Sequence, residues 1–315
     1  MLRGLASLAL VTASACGRSS GVPDEQLGEL VVEPRRAEEA PDVDRAARDP
    51  AALGRALSRP HRGVSAALGP HAVKLSTRNT VTENGKPVSV LDDQTAIELG
   101  ERGAYHAVYT NSADYGRETI FAGGKLYLRP RYQRWHERDP ESPDEPVALR
   151  DRYFEAIAAI WDLLAPGAEL VDRGTVEVAG RPGRKIELRR APSPAAPPRE
   201  PLAQRRWREQ RTIDELSGEV VLDVEQGVPL AVKLAGTIGF VRDGRRFSIK
   251  VGLDAAITGI GAAAAIAAPP RTEVVATPER SREVDDRDFL LQGIAPPQRR
   301  GAGGSGAAPP GEGKP

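Results

Sequence analysis

Sulfur is nearly absent from this chain: one methionine, at the start, and one cysteine, Cys16, in 315 residues. Everything beyond Cys16 is free of thiols, so no disulfide, cysteine-ligated metal or cysteine nucleophile can operate there. That part must be stabilised by a packed core. An excess of charge of one sign is also missing. Lys+Arg and Asp+Glu stand at 44 each, so no overall field draws the protein to nucleic acid. Long apolar runs are missing too. The richest, Ala255 to Ala268, is mostly Ala and Gly and ends at Pro269-Pro270; a transmembrane helix needs roughly 20 apolar residues. Histidine is scarce: His61, His71, His106 and His136 fall in no metal-binding spacing. There is no G-x-S-x-G elbow, P-loop or dinucleotide fingerprint, and Gly259-Ile260-Gly261 lies in no βαβ context. These absences leave no catalytic residue, no metal site and no cofactor to expect, and a protein that is not an enzyme.

What is present begins at the N-terminus. Arg3 is followed by a short apolar stretch (Leu5, Leu8, Ala9, Leu10, Val11), then Ala13-Ser14-Ala15 and Cys16. Charge, short apolar region and small residues are the parts of a signal peptide, and the apolar region is too short to span a bilayer. A cysteine directly after the small residues resembles the lipobox of bacterial lipoproteins, although Ala13 stands where that family usually has leucine. The resemblance implies lipidation of Cys16 and removal of residues 1–15. Gly17, rather than aspartate, follows the cysteine, which by the same resemblance implies the outer membrane, facing the periplasm.

Residues 16–45 are polar and charged, a composition that cannot bury enough apolar area to offset its conformational entropy. They read as a flexible tether, and the Gly-rich residues 293–315 read as a disordered tail. The folded domain is expected over 46–292, interrupted by a proline-rich loop at 191–201. Asp44 to Leu68 is compatible with helix, broken near Pro60. Strand patterns of period two follow, separated by turn pairs such as Asn84-Gly85, Gly123-Gly124 and Asp243-Gly244. The run Phe247-Ile249-Val251-Leu253 alternates without exception. One long helix is expected mid-chain, with Val147, Leu149, Tyr153, Phe154, Ile157, Ile160, Trp161 and Leu164 on its apolar stripe and Pro166-Gly167 at its end. Asp139, Glu141, Asp144 and Glu145 precede that helix and suit its positive dipole end. Arg129, Arg131, Arg134 and Arg138 with Tyr132 and Trp135 form an aromatic-basic patch that reads as a solvated loop of snorkelling side chains, the alternative being a contact with lipid headgroups or another protein. The fold class is α+β, mainly β: an antiparallel meander of about ten strands with a covering helix.

Tyr115 to Leu128 (a strand, a Gly-Gly turn and a Leu-Tyr-Leu return), Val178-Ala179-Gly180-Arg181-Pro182, and Ser217-Gly218-Glu219-Val220-Val221-Leu222-Asp223 before Pro229-Leu230 resemble the LolA/LolB and LprG/LppX-like lipid-binding proteins. The resemblance covers roughly residues 65 to 270. It implies an incomplete barrel, a strongly curved antiparallel sheet covered by a few helices, with an apolar groove for acyl chains. Groove candidates are Tyr109, Phe121, Tyr127, Phe154, Ile157 and Trp161 in the first half, and Leu222, Val232, Phe240, Ile249 and Val251 in the second. The expected partners are a membrane, through the Cys16 anchor, and lipid or lipoprotein acyl chains. The alternative is a protein-interaction or sensor module on the same scaffold, with a filled groove that docks an envelope protein.

Overall fold

A computed structural model describes residues 41–196, 206–262 and 264–276. Cys16, the leader 1–15, most of the tether, the far end of the proline-rich loop and the tail 293–315 lie outside the described residues.

Three short helices come first: α1 (Val43–Ala46), α2 (Pro50–Leu57) and α3 (His61–Leu68). Their boundaries are local chemistry. The Asp49 carboxylate accepts the Ala51 N–H at 2.9 Å ahead of Pro50, and Gly69, at φ 69°, ends α3.

Six strands follow: β1 (His71–Glu83), β2 (Lys86–Leu99), β3 (Tyr105–Asn111), β4 (Gly116–Ala122), β5 (Lys125–Pro130) and β6 (Trp135–Arg138). Two helices, α4 (Glu145–Asp151) and α5 (Glu155–Leu164), separate these from β7 (Ala168–Val178) and β8 (Arg181–Arg190). The chain ends its described part with α6 (Arg206–Glu209), β9 (Thr212–Asp223), β10 (Pro229–Arg242), β11 (Arg245–Thr258) and β12 (Val274–Ala276). The hairpin turns form where expected: Asn84-Gly85 and Asp243-Gly244 all have positive φ, between 48° and 79°.

All twelve strands belong to one curved sheet in the order β12-β6-β5-β4-β3-β2-β1-β11-β10-β9-β8-β7. It does not close, because β12 and β7 are both edges. Neighbours are antiparallel except β12, which runs parallel to β6. The two halves of the meander join where β1 pairs with β11, Val73 opposite Ile257 and Val81 opposite Ile249. The fold is therefore α+β, mainly β, with a curved sheet and few helices. It has more strands than the expected ten: the charged stretch Trp135–Arg138 pairs with β5 instead of forming a loop, and Val274–Ala276 adds an edge.

The mid-chain helix is not continuous. A 3-10 turn, Arg152–Phe154, divides α4 from α5. It gives two adjacent aromatics separate partners: the Tyr153 hydroxyl meets the Thr119 hydroxyl at 2.8 Å, and Phe154 stacks on His61 at 3.6 Å between ring centroids. The acidic run before it is also more specific than a dipole effect. Glu145 forms an ion pair with Arg138, 6% exposed, and accepts the Glu141 N–H at 2.5 Å, whereas Asp144 makes no cap bond.

One face of the sheet carries the helices. There Leu75, Ile186, Leu188, Val220, Leu222, Leu234 and Leu253 pack against Leu53, Leu57, Ile160 and Leu164. At the β4–β6 end the opposite face is covered as well, where Ile266 and Val274 pack on Ile120, Tyr127 and Trp135.

Candidate functional site

The inner face, beneath the helices, is where strand alternation concentrates apolar side chains. Two glycines set how closely the helix layer sits. A Cβ at Gly236 on β10 would lie 2.5 Å from Leu164 Cδ2, and one at Gly54 on α2 would lie 2.8 Å from Trp161 Nε1. Glycine at both positions lets α5 approach both sheet and α2. Beside α3 little space remains. An apolar cavity of about 30 Å³ is lined by His61, Val64, Phe154, Ile157, Leu230 and Val232, against roughly 300–1,000 Å³ for ordinary ligand sites.

The expected groove residues separate into several environments. Phe154, Ile157 and Val232 surround that small cavity. Trp161, Leu222 and Val251 are core, each 3% exposed or less. Phe121 is half-buried on the inner face, its ring tilted against Tyr105 at 6.3 Å. Ile249 is half-buried at the margin of that core, and Phe240 lies further along the sheet, stacked on Phe247. Tyr127 is the correction. Its neighbours Leu126 and Leu128 face inward with Phe121 and Leu149, so alternation turns Tyr127 to the other face, where Trp135 packs on it. Three consecutive apolar residues conceal this from the sequence because that part of the sheet is covered on both sides.

Further along the sheet the inner face continues as an apolar stripe on the four longest strands. Val81 lies opposite Ile249, Ile249 opposite Ile238, and Phe247 opposite Phe240. Val81, Leu91, Ile249, Phe247 and Phe240 are all half-buried, and the two phenylalanine rings stack at 5.5 Å. These side chains keep part of their surface exposed here. Two broader depressions have mixed linings: one of about 570 Å³ includes Ser76, Arg78 and Asp92, and one of about 1020 Å³ includes Thr82, Thr212 and Asp214 together with Phe240 and Phe247 at the end of the stripe.

Two polar features on the helix side escaped sequence reasoning. At one corner the Tyr109 hydroxyl donates to Asp93 at 2.6 Å and accepts from Asn111 Nδ2 at 3.1 Å, while Thr77 donates to the other Asp93 oxygen at 2.9 Å. Burial, and then Asp93 beside it, push the Tyr109 phenol up to about 12. Arg117, 9% exposed, lies over the Tyr109 and Tyr153 rings at 5.5 and 4.8 Å. The second feature is a buried pair, His61 Nε2 to His71 Nε2 at 3.2 Å, with His71 Nδ1 2.7 Å from the Gly69 carbonyl. Burial holds both imidazoles below their ordinary value, His61 strongly so, with His71 and Arg150 adding repulsion. The carbonyl can only accept, so neutral His71 donates from Nδ1 and His61 donates to its Nε2. Asp93 could be recognised as an acid on an inward position. The histidines are ten residues apart, on a helix and a strand, and carried no signal.

The sequence motif ending in Asp223 is architectural. Its buried carboxylate accepts the Glu225 and Gln226 N–H groups at 3.0 and 2.8 Å and pairs with Arg181, which fixes the β9–β10 turn. The expected basic-aromatic loop is likewise structural: Trp135 is 4% exposed, Arg129 lies 4.4 Å over its ring, and Arg138 is held by Glu145. Among the described residues, no three His, Cys, Asp or Glu side chains converge as a metal site, and no helix is long and apolar enough to cross a membrane.

No protein-family model matches the sequence, and no curated protein aligns with it. Solved structures resemble it at low identity and low TM-score. The chain is similar to MucB in complex with MucA(peri), at 18% identity over 69% of this chain and a TM-score of 0.22; it spans 59% of that MucB chain. It is similar to the lipoprotein LppX of Mycobacterium tuberculosis at 13% identity, over 64% of this chain and 94% of that one, with a TM-score of 0.21. A LolA superfamily protein from Nitrosomonas europaea is also similar, at 7% identity over 63% and 92% of the two chains, with a TM-score of 0.18.

Proposed function

We propose that this is a lipid-anchored envelope protein, held by Cys16 at the outer membrane, whose half-barrel accepts or holds the acyl chains of a lipid or lipoprotein without catalysis. The observation that carries the reading is the half-buried stripe Val81, Leu91, Ile249, Phe247 and Phe240, continuous with the core yet partly exposed. An acyl chain needs apolar area, at about 25 cal/mol per Å² removed from water, and no reacting group. The chain would lie along this stripe and lengthen inward as the helix layer moves out. A tether of about thirty residues reaches on the order of 30 Å as a random coil, which favours receipt or display near one membrane over shuttling. The folded domain over 46–292, between tether and tail, belongs to the same proposal.

The filled space beside α3 favours a second reading, in which the same domain docks an envelope protein. Native mass spectrometry of the purified chain without residues 1–15 decides between them. Co-purified lipid, or uptake of a fluorescent fatty acid, is the outcome expected for a holder. A lipid-free protein that takes up no fatty acid would overturn that reading and leave the interaction module. Cys16→Ser is expected to abolish incorporation of labelled palmitate; labelling that persists would refute the anchor.

A further inference from the structure

The polar corner of the inner face is a pocket in its own right. We propose that it is a headgroup site for a zwitterionic amphiphile carrying a phosphate and an ammonium group; this rests on the acyl-binding reading, since the tail would occupy the neighbouring stripe. A cavity of about 170 Å³ lies between the start of α5 and strands β1 to β4. Asp93 and Arg117 form its charged floor, and Arg152 and Glu155 its rim. The rim charges are exposed, and among the described residues neither makes a side-chain hydrogen bond or ion pair, although they stand three positions apart.

The charge inventory selects the ligand. Two guanidinium groups and two carboxylates line one small space. A simple anion would be drawn to the two guanidinium charges but face Asp93 and Glu155, and a simple cation would meet the reverse problem. A zwitterion pairs with both: phosphate oxygens with the planar donors of Arg152 at the rim, above the Arg117 charge, and ammonium with Glu155 and Asp93. The floor is pre-set for this. Tyr109 and Thr77 fix the Asp93 carboxylate at 2.6 and 2.9 Å, each of its oxygens keeps further accepting capacity, and two tyrosine rings hold the Arg117 guanidinium.

Position connects head to tail. Thr77 is followed on the same face of β1 by Asn79, Val81 and Glu83, opposite Val251, Ile249 and Phe247. The six steps from Thr77 to Glu83 extend about 20 Å from the pocket at roughly 3.3 Å each, the direction a long acyl chain would take.

The test compares retention of phosphatidylethanolamine, phosphatidylglycerol and diacylglycerol with identical chains, offered in vesicles to the full chain carrying Cys16→Ser and counted by native mass spectrometry. Phosphatidylethanolamine is expected to be retained roughly tenfold better than either other lipid, a difference of about 1.4 kcal/mol. Glu155→Gln should reduce it to the phosphatidylglycerol level. Arg152→Gln should reduce both phospholipids toward diacylglycerol. Both side chains are exposed, so unchanged urea midpoints check that the fold is intact. Equal retention of the three lipids, a preference for phosphatidylglycerol, or indifference to both substitutions overturns the headgroup site and leaves acyl binding standing. If no lipid is retained at all, acyl binding itself fails.

Discussion

The contact between Gly54 and Trp161 offers a quantitative test of how the helix layer is seated. Trp161 is 3% exposed in the main core, and an ideal Cβ at Gly54 would fall 2.8 Å from its indole nitrogen and 3.3 Å from Cδ1. Trp161→Ala removes a large core side chain, which costs about 3–5 kcal/mol. The upper part of that range applies because the facing residue has no side chain to move into the space. Gly54→Ala alone sets two effects against each other: alanine gains about 1 kcal/mol of helix propensity inside α2, while overpacking against the indole costs about 1–3 kcal/mol. The net expectation is neutral to about 2 kcal/mol destabilising. In the Trp161→Ala background the clash is gone, so the same change should stabilise by about 1 kcal/mol or slightly more. The two substitutions should therefore couple by about 1–3 kcal/mol in a double-mutant cycle measured by urea denaturation. Additivity within about 0.5 kcal/mol would show that α2 and α5 do not meet as described.

Two further outcomes follow from local features. His61 and His71 are both held below the ordinary imidazole value of 6.5 by burial, so the unfolded chain binds more protons than the folded one and stability rises with pH. Their contribution should be complete above about pH 6.5 and be lost as pH falls below it, seen as a falling urea midpoint that His61→Phe makes shallower; identical pH profiles for the two proteins would count against the buried pair. The β7–β8 turn places Ala179 at φ 52° ahead of Gly180, a conformation costing an L-residue about 1–2 kcal/mol that asparagine tolerates better. Ala179→Asn should raise stability by about 0.5–1 kcal/mol, or roughly 1–4 °C by calorimetry, and an unchanged or lower melting temperature would contradict that backbone geometry.

Much of the fold is legible residue by residue, since its determinants are short-range. Asn84-Gly85 and Asp243-Gly244 tolerate positive φ and form the hairpins they announce. Alternation places Val73, Leu75, Val251 and Leu253 inward, and the stripe from Leu149 to Leu164 is buried as its spacing requires. Alternation fails at Leu126-Tyr127-Leu128, where both faces are covered and period two has nothing to distinguish. It also cannot separate groove from core: Leu222 and Ile249 have the same pattern, yet Leu222 is fully buried and Ile249 is half-buried at the margin of the same core.

Composition and the first sixteen residues determined, unaided, that the thiol-free part could hold no disulfide, and the local sequence determined which segments would be strand, turn or helix. Tertiary structure alone decided that β1 pairs with β11 across the whole domain, that Gly54 and Gly236 let α5 sit close against α2 and the sheet, and that Asp93 and Arg117 share one pocket. The division has a physical cause. Turns and periodicity are energies of neighbours along the chain, whereas cavity volume and charge pairing depend on where elements distant in sequence come to rest.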